Sequence, residues 1–143
     1  MKQRSLFSKP KNDLPKQAPV VNNARSESNQ NVELNIRFTQ PFLEKQKLKS
    51  PDDIRIYEQI QRHRLQILIW SKLYYHLGTN TVTDFTFDKV AHELVDLQAK
   101  YPEISRIVAY AEEFEDWDAS TGFHLPLDDP WVCQKAYEQI RKR

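Results

Sequence analysis

The chain has 143 residues, room for one domain of ordinary size, and its net charge of +1 is a cancellation: residues 1–50 carry ten Lys/Arg against four Asp/Glu, residues 51–143 eleven against sixteen. A single cysteine, Cys133, excludes a disulfide framework and a cysteine-rich zinc site, and two glycines, Gly78 and Gly122, exclude every glycine-rich phosphate loop. No apolar run approaches the ~20 residues needed to span a bilayer, and no apolar segment follows Met1-Lys2-Gln3-Arg4-Ser5, so a cytoplasmic protein without a membrane partner is expected.

Residues 1–49 mix Lys, Pro, Asn, Gln and Ser and hold three aromatics, Phe7, Phe38 and Phe42. Such a segment has too little apolar surface to offset its chain entropy and reads as a long basic arm, disordered or extended. Within it, Val32-Glu33-Leu34-Asn35-Ile36-Arg37-Phe38 alternates apolar and polar residues, as a strand does. Solvated extended chain, or an edge added to the domain or to another protein, is expected there.

The remaining thirteen aromatics lie in residues 50–143, which are expected to form the folded domain. Ser50-Pro51-Asp52-Asp53 supplies a cap, a proline for the first helical position and two carboxylates over the positive helix end. This helix is predicted to reach about Leu77 and to stop at Gly78. A second helix starts near Thr83-Asp84 and ends by Tyr101, because Pro102 follows. A third begins at Pro102-Glu103, with Ile104, Ile107, Val108, Ala111 and Phe114 along one side. After a loop from Asp118 to Pro126, Asp128-Asp129-Pro130 caps a last helix through Trp131, Val132, Ala136, Tyr137 and Ile140. The expected fold class is all-α, a small bundle of about four helices.

Candidate chemistry is sparse. Asp84, Asp88, His92 and Asp96 recur every four residues along one helix face, a spacing able to hold a divalent cation. The same spacing describes the solvated side of an amphipathic helix, and no metal site is assigned. Cys133 with His124 suggests a thiol nucleophile, but a cysteine beside Trp131 and Val132 reads as a small apolar residue, and no catalytic set is assigned. The acidic run from Glu112 to Asp118 is either a helix end in solvent or a surface for a protein partner.

One constellation remains: Leu73-Tyr74-Tyr75-His76, then Thr83-Asp84-Phe85-Thr86-Phe87-Asp88, then Glu93-Leu94 and Tyr101-Pro102-Glu103. A short turn joins the first two pieces, so two aromatics from one helix can meet two carboxylates from the next. Rings offer stacking faces, and carboxylates accept hydrogen bonds or attract a cationic ring. The stretch from Leu73 to Ile104 resembles the N-terminal nicotinamide-binding subdomain of bacterial NAD-dependent DNA ligases. That family reads roughly Tyr-Tyr/His, a short turn, Ser/Thr-Asp-x-x-Tyr-Asp, then Glu-Leu and Pro-Glu, and this chain aligns with it without a gap.

The resemblance implies a helical unit that grips nicotinamide mononucleotide or NAD. It implies a ligand site at Tyr74, Tyr75, Asp84, Phe87 and Asp88, with Tyr74 stacking or hydrogen-bonding, the aspartates holding ring and ribose, and Tyr75 and Phe87 as walls. Tyr75 stands where many ligases carry histidine, Phe87 replaces a tyrosine, and Gly78 stands where aspartate is usual. The likeness ends at Glu103-Ile104, and no Asp-Gly pair exists to form the ligases' Lys-x-Asp-Gly adenylation motif. The chain is thus similar to small ligase-related proteins of phages and bacteria, and it is expected to bind and not to catalyse, with no cofactor required. The alternative is an interaction protein that uses the scaffold, the residue 1–49 arm and the acidic Glu112–Asp118 surface to hold a protein partner and binds no nucleotide. Nucleic acid is a third partner class, resting on Lys2, Arg4, Lys9, Lys11, Lys16 and Arg25.

Overall fold

In the computed structural model the described residues are 37–142, all within one unit that spans Ile36–Arg143. Among them are five helices and no strand, so the all-α expectation stands. Helix α1 covers residues 37–46, followed by α2 (Pro51–Tyr75), α3 (Asp84–Lys100), α4 (Pro102–Ile107) and α5 (Pro130–Arg141).

Helix α2 is the axis of the bundle, and α3, α4 and α5 all pack on it. Ser50 caps it by accepting from the Asp53 amide at 3.5 Å, and Pro51 occupies its first turn. At ~1.5 Å per residue its 25 residues reach about 38 Å. Its buried positions include Ile56, Ile60, Arg64 and Ile67 and, beside them, Tyr57, Leu68 and Lys72. These are adjacent stripes three and four residues apart, wide enough to serve several neighbours at once. The helix ends where the Thr79 amide donates to the Leu73 carbonyl at 2.8 Å while Gly78 takes φ +62°, a left-handed value that costs glycine little.

The third helix is shorter than its apolar spacing predicts, and the cause is a buried arginine. Arg64, fully buried on α2, donates to the carbonyls of Ser105, Val108 and Ala109 at 3.0 Å each. It also donates to Ser105 Oγ at 2.6 Å and Gln98 Oε1 at 2.9 Å, and its guanidinium lies over the Phe114 ring. Those carbonyls are the acceptors a continued helix would have used for its own amides. The chain instead turns extended at Val108 and left-handed at Tyr110 (φ 67°), and Phe114 reaches the core from a series of turns. Burial pushes Arg64 down to about 10, partly offset by Glu113 and Tyr57, so it stays cationic at neutral pH.

The expected boundary between residues 49 and 50 also shifts. Residues 37–46 are helical and docked, not an arm, because Arg37 and Phe38 find partners in the rest of the bundle, while Phe42 stays exposed. Phe38 meets Tyr110 at 6.0 Å and Trp131 at 5.6 Å. Arg37 sits 4.5 Å from the Tyr110 ring centre and pairs with Glu113 and Asp129, each at 2.9 Å. Arg37 and Phe38 therefore belong to a helix and not to a strand-like segment; residues 32–36 of that segment, like the rest of the expected arm up to residue 36, lie outside the described residues. Asp129 caps α5 through the Trp131 amide at 3.1 Å and accepts from Tyr110 Oη at 2.7 Å, tying α1, the 108–110 turn and α5 together.

Candidate functional site

The C-terminal end of α2, the start of α3 and the 120–121 loop enclose a cavity of about 200 Å³. From α2 come Trp70, Ser71, Tyr74 and Tyr75; from the connecting turn Asn80, Thr81 and Val82; from α3 Asp84, Phe87 and Asp88; from the loop Ser120 and Thr121. All five residues singled out from the sequence, Tyr74, Tyr75, Asp84, Phe87 and Asp88, line this one opening.

The local sequence explains the placement. Thr83 caps α3 by accepting from the Thr86 amide at 3.1 Å, so the neighbouring Asp84 carboxylate is not used as the cap. Four residues separate Asp84 from Asp88, which puts both on one side of the first turns of α3. Among the described residues neither carboxylate takes a hydrogen bond or an ion pair. Tyr74 is 55 % exposed and is no core residue. Phe87 does not plug the opening: it is half-buried and leans on Trp70, ring centres 6.4 Å apart.

Tyr75 is fixed from two sides. Its ring stands edge-on to Tyr74 at 4.9 Å and to Phe123 at 5.3 Å, and its Oη lies 2.8 Å from Thr121 Oγ1. The loop beneath is held in turn: Trp117 Nε1 donates to the Thr121 carbonyl at 2.7 Å, and the Ser120 amide donates to Asp118 Oδ1 at 2.9 Å. Ser71, buried at the wall, has a hydroxyl with no partner among the described residues. Gly122 lies so close that a Cβ there would overlap Ser71 Oγ.

The other parts of the motif do not reach the cavity. Leu94 is core, Glu93 pairs with His63 Nε2 at 3.0 Å, and Tyr101 and Pro102 form the α3–α4 junction. Gly78 serves the turn. Along the Asp84–Asp96 face, His92 Nδ1 bonds the Asp88 carbonyl at 2.8 Å, and no group of three metal-ligating side chains gathers among the described residues. No hydrogen bond joins Cys133 to His124: the thiol lies 3.6 Å from the Leu127 carbonyl and burial pushes it up, while His124 is exposed beside Phe123. The acidic run is split between roles, with Glu113 on Arg37, Asp118 on the 120 loop, and Glu112 and Glu115 bordering a second, open cavity of about 500 Å³ beside Arg106.

Sequence reasoning missed Trp70, Ser71 and the 120–121 loop, which close the cavity from positions outside the motif. It also missed Lys72, buried next to the site with Nζ 2.9 Å from His76 Nδ1 and 3.4 Å from Asp128 Oδ1. Burial and the Lys72 ammonium push His76 down, so its Nδ1 accepts from the lysine. Nothing in local sequence marks such a residue, since Asp128 and Cys133 reach Lys72 only through the folding of α5 and its approach loop.

Compared with protein-family models, curated proteins and solved structures, the chain matches none. Among the described residues no helix is long and apolar enough to cross a membrane.

Proposed function

We propose that this domain is a binding module for the nicotinamide–ribose end of a nicotinamide nucleotide, nicotinamide mononucleotide or NAD. The observation that carries the reading is convergence: two separate stretches of sequence, chosen for their ring and carboxylate chemistry, line one cavity. Pockets that enclose a whole drug-sized ligand measure ~300–1,000 Å³. One of about 200 Å³ suits a ring and part of its sugar, with the rest of the nucleotide in solvent.

The lining supports binding more than chemistry. Trp70, Tyr74 and Phe87 offer aromatic surface, while Asn80, Ser120 and Thr121 offer neutral hydrogen-bonding groups for a ribose or a carboxamide. No thiol or imidazole is among the lining residues. Isothermal titration of the full chain with nicotinamide mononucleotide and with NAD is expected to give saturable heat. Absence of heat at millimolar ligand would retire the reading.

A second reading is favoured by the rim. Phe85 is 77 % exposed and Tyr74 and Phe123 55 % each, an apolar surface of the kind that proteins use to hold one another. In that reading the same end of the bundle takes a protein partner and no nucleotide.

A further inference from the structure

We infer that the end of α2 carries an acid-sensitive latch: a proton taken up by His76 breaks its bond to the buried Lys72 ammonium, frees the last turn of the helix and weakens binding in the cavity beside it. The effect on a ligand deepens the proposed function and rests on it; the release of the turn does not. Three side chains form the latch. Lys72 Nζ donates to His76 Nδ1 at 2.9 Å and lies 3.4 Å from Asp128 Oδ1, and Nδ1 is 3.8 Å from that same oxygen. An ammonium has only protons to offer, so the nitrogen that meets it is bare and the ring is neutral. A protonated ring would face a second cation across the same distance.

The two cations differ in where they can go. Lys72 is fully buried, whereas a third of the His76 side chain is open to solvent, so the proton arrives at the ring and the ring is the partner that leaves. The charged groups acting on it are Lys72 from its own helix and Asp128 from the loop before α5, and the Cys133 thiol on α5 meets the same ammonium. Asp128 is largely exposed, so water screens it and it offsets only part of the repulsion. His76 also closes the helix: its amide and that of Leu77 donate to the Lys72 carbonyl at 3.0 and 3.3 Å. The residue before it, Tyr75, ties the helix to the 120–121 loop through Thr121 Oγ1, and Tyr74 and Tyr75 both line the cavity. A turn released at His76 takes two lining residues with it. A ligand that needs them binds only the fraction of chains whose ring is neutral.

NAD is the probe, because the phosphate of nicotinamide mononucleotide itself takes up a proton at about pH 6. The midpoint of the His76 ring is read first, from its carbon–proton NMR signals in the full chain. One pH unit below that midpoint, calorimetry is expected to show NAD binding about tenfold more weakly than at pH 8. The Tyr75 and Thr121 amides should shift along the same curve. His76→Gln keeps an acceptor for Lys72 and has no proton to gain, so it should bind NAD equally at both pH values. Other titrating groups, Asp84 and Asp88 on the wall and His124 beside Phe123 included, are untouched in that variant. Asp128→Asn, at an exposed position, removes a countercharge and should move the transition to lower pH; it decides the matter if His76→Gln does not fold, and an unmoved transition contradicts the latch. Affinity that is flat with pH, or that falls equally in His76→Gln, overturns the latch and leaves the nucleotide site standing. If NAD binds at no pH, the proposed function is retired and the amides decide: Tyr75 and Thr121 shifts that follow the His76 midpoint support the latch, and their absence contradicts it.

Discussion

The middle of α2 and its C-terminal end each bury a paired cation, Arg64 and Lys72, and differ in how far their rings are covered: Tyr57 is buried and Tyr74 is open. At the middle, Arg64 is fully buried and donates five hydrogen bonds to α3, α4 and the turn after it. Two turns further on, the Ser71 hydroxyl is as deeply buried and, like His63 Nδ1 beside Arg64, has no partner among the described residues, while Tyr74 stands open to solvent. A satisfied buried cation holds a fold together; exposed rings beside unpaired carboxylates are what the proposed binding site offers a ligand. Under the proposed function, stability belongs to one half of the helix and recognition to the other.

The strongest way to break that division is at Arg64. Arg64→Ala strands three carbonyls and opens a cavity, and should cost about 3 kcal/mol or more in a urea unfolding curve. A loss below about 1 kcal/mol would mean that the turn after α4 does not depend on it. Next comes Gly122→Ala, whose methyl overlaps Ser71 Oγ: about 1–3 kcal/mol should be lost, and Ser71→Gly in the same chain should recover most of it. Failure of that rescue would separate the loop from the wall it is held to close.

On the recognition side, Tyr74→Ala should weaken binding of nicotinamide mononucleotide about tenfold by calorimetry. Because Tyr74 is exposed, unfolding free energy should stay within about 0.5 kcal/mol. A tyrosine whose loss unfolds the chain would be structural after all. The smallest effect is a pH dependence at the boundary between the halves. The folded state depresses His76, so below its ordinary value of 6.5 the unfolded chain binds the extra proton more readily. Stability contributed by the neutral ring is present above pH 6.5 and lost as pH falls through the folded value. A chain carrying His76→Gln should show a shallower decline over that range, and an unchanged decline would place its origin elsewhere.

Much of this was legible in the sequence where the physics is local. Ser50-Pro51, Thr83 and Asp129-Pro130 mark helix starts through their own side chains, and those starts lie where the caps put them. The third helix is shorter than Ile104, Ile107, Val108, Ala111 and Phe114 imply by their helical spacing, because the group that ends it, Arg64, is 44 residues from Val108 in the chain. Residues 37–46 were under-read for the same reason: Arg37 and Phe38 gain their order from Glu113, Asp129, Tyr110 and Trp131. At the site, the residues joined by one short turn could be found by spacing. Ser71, three residues before Tyr74 on the same helix, was within reach of that spacing too; the 120–121 loop was not, since only tertiary packing brings it to the wall.

The most direct test of the division is an amide nitrogen–proton correlation spectrum of the full chain, recorded while nicotinamide mononucleotide is added. Saturable shifts are expected at residues 70–88 and 120–123, with the amides around Arg64, Ser105 and Val108 unmoved. Shifts centred on the Arg64 region, or none at millimolar nucleotide, would contradict the account.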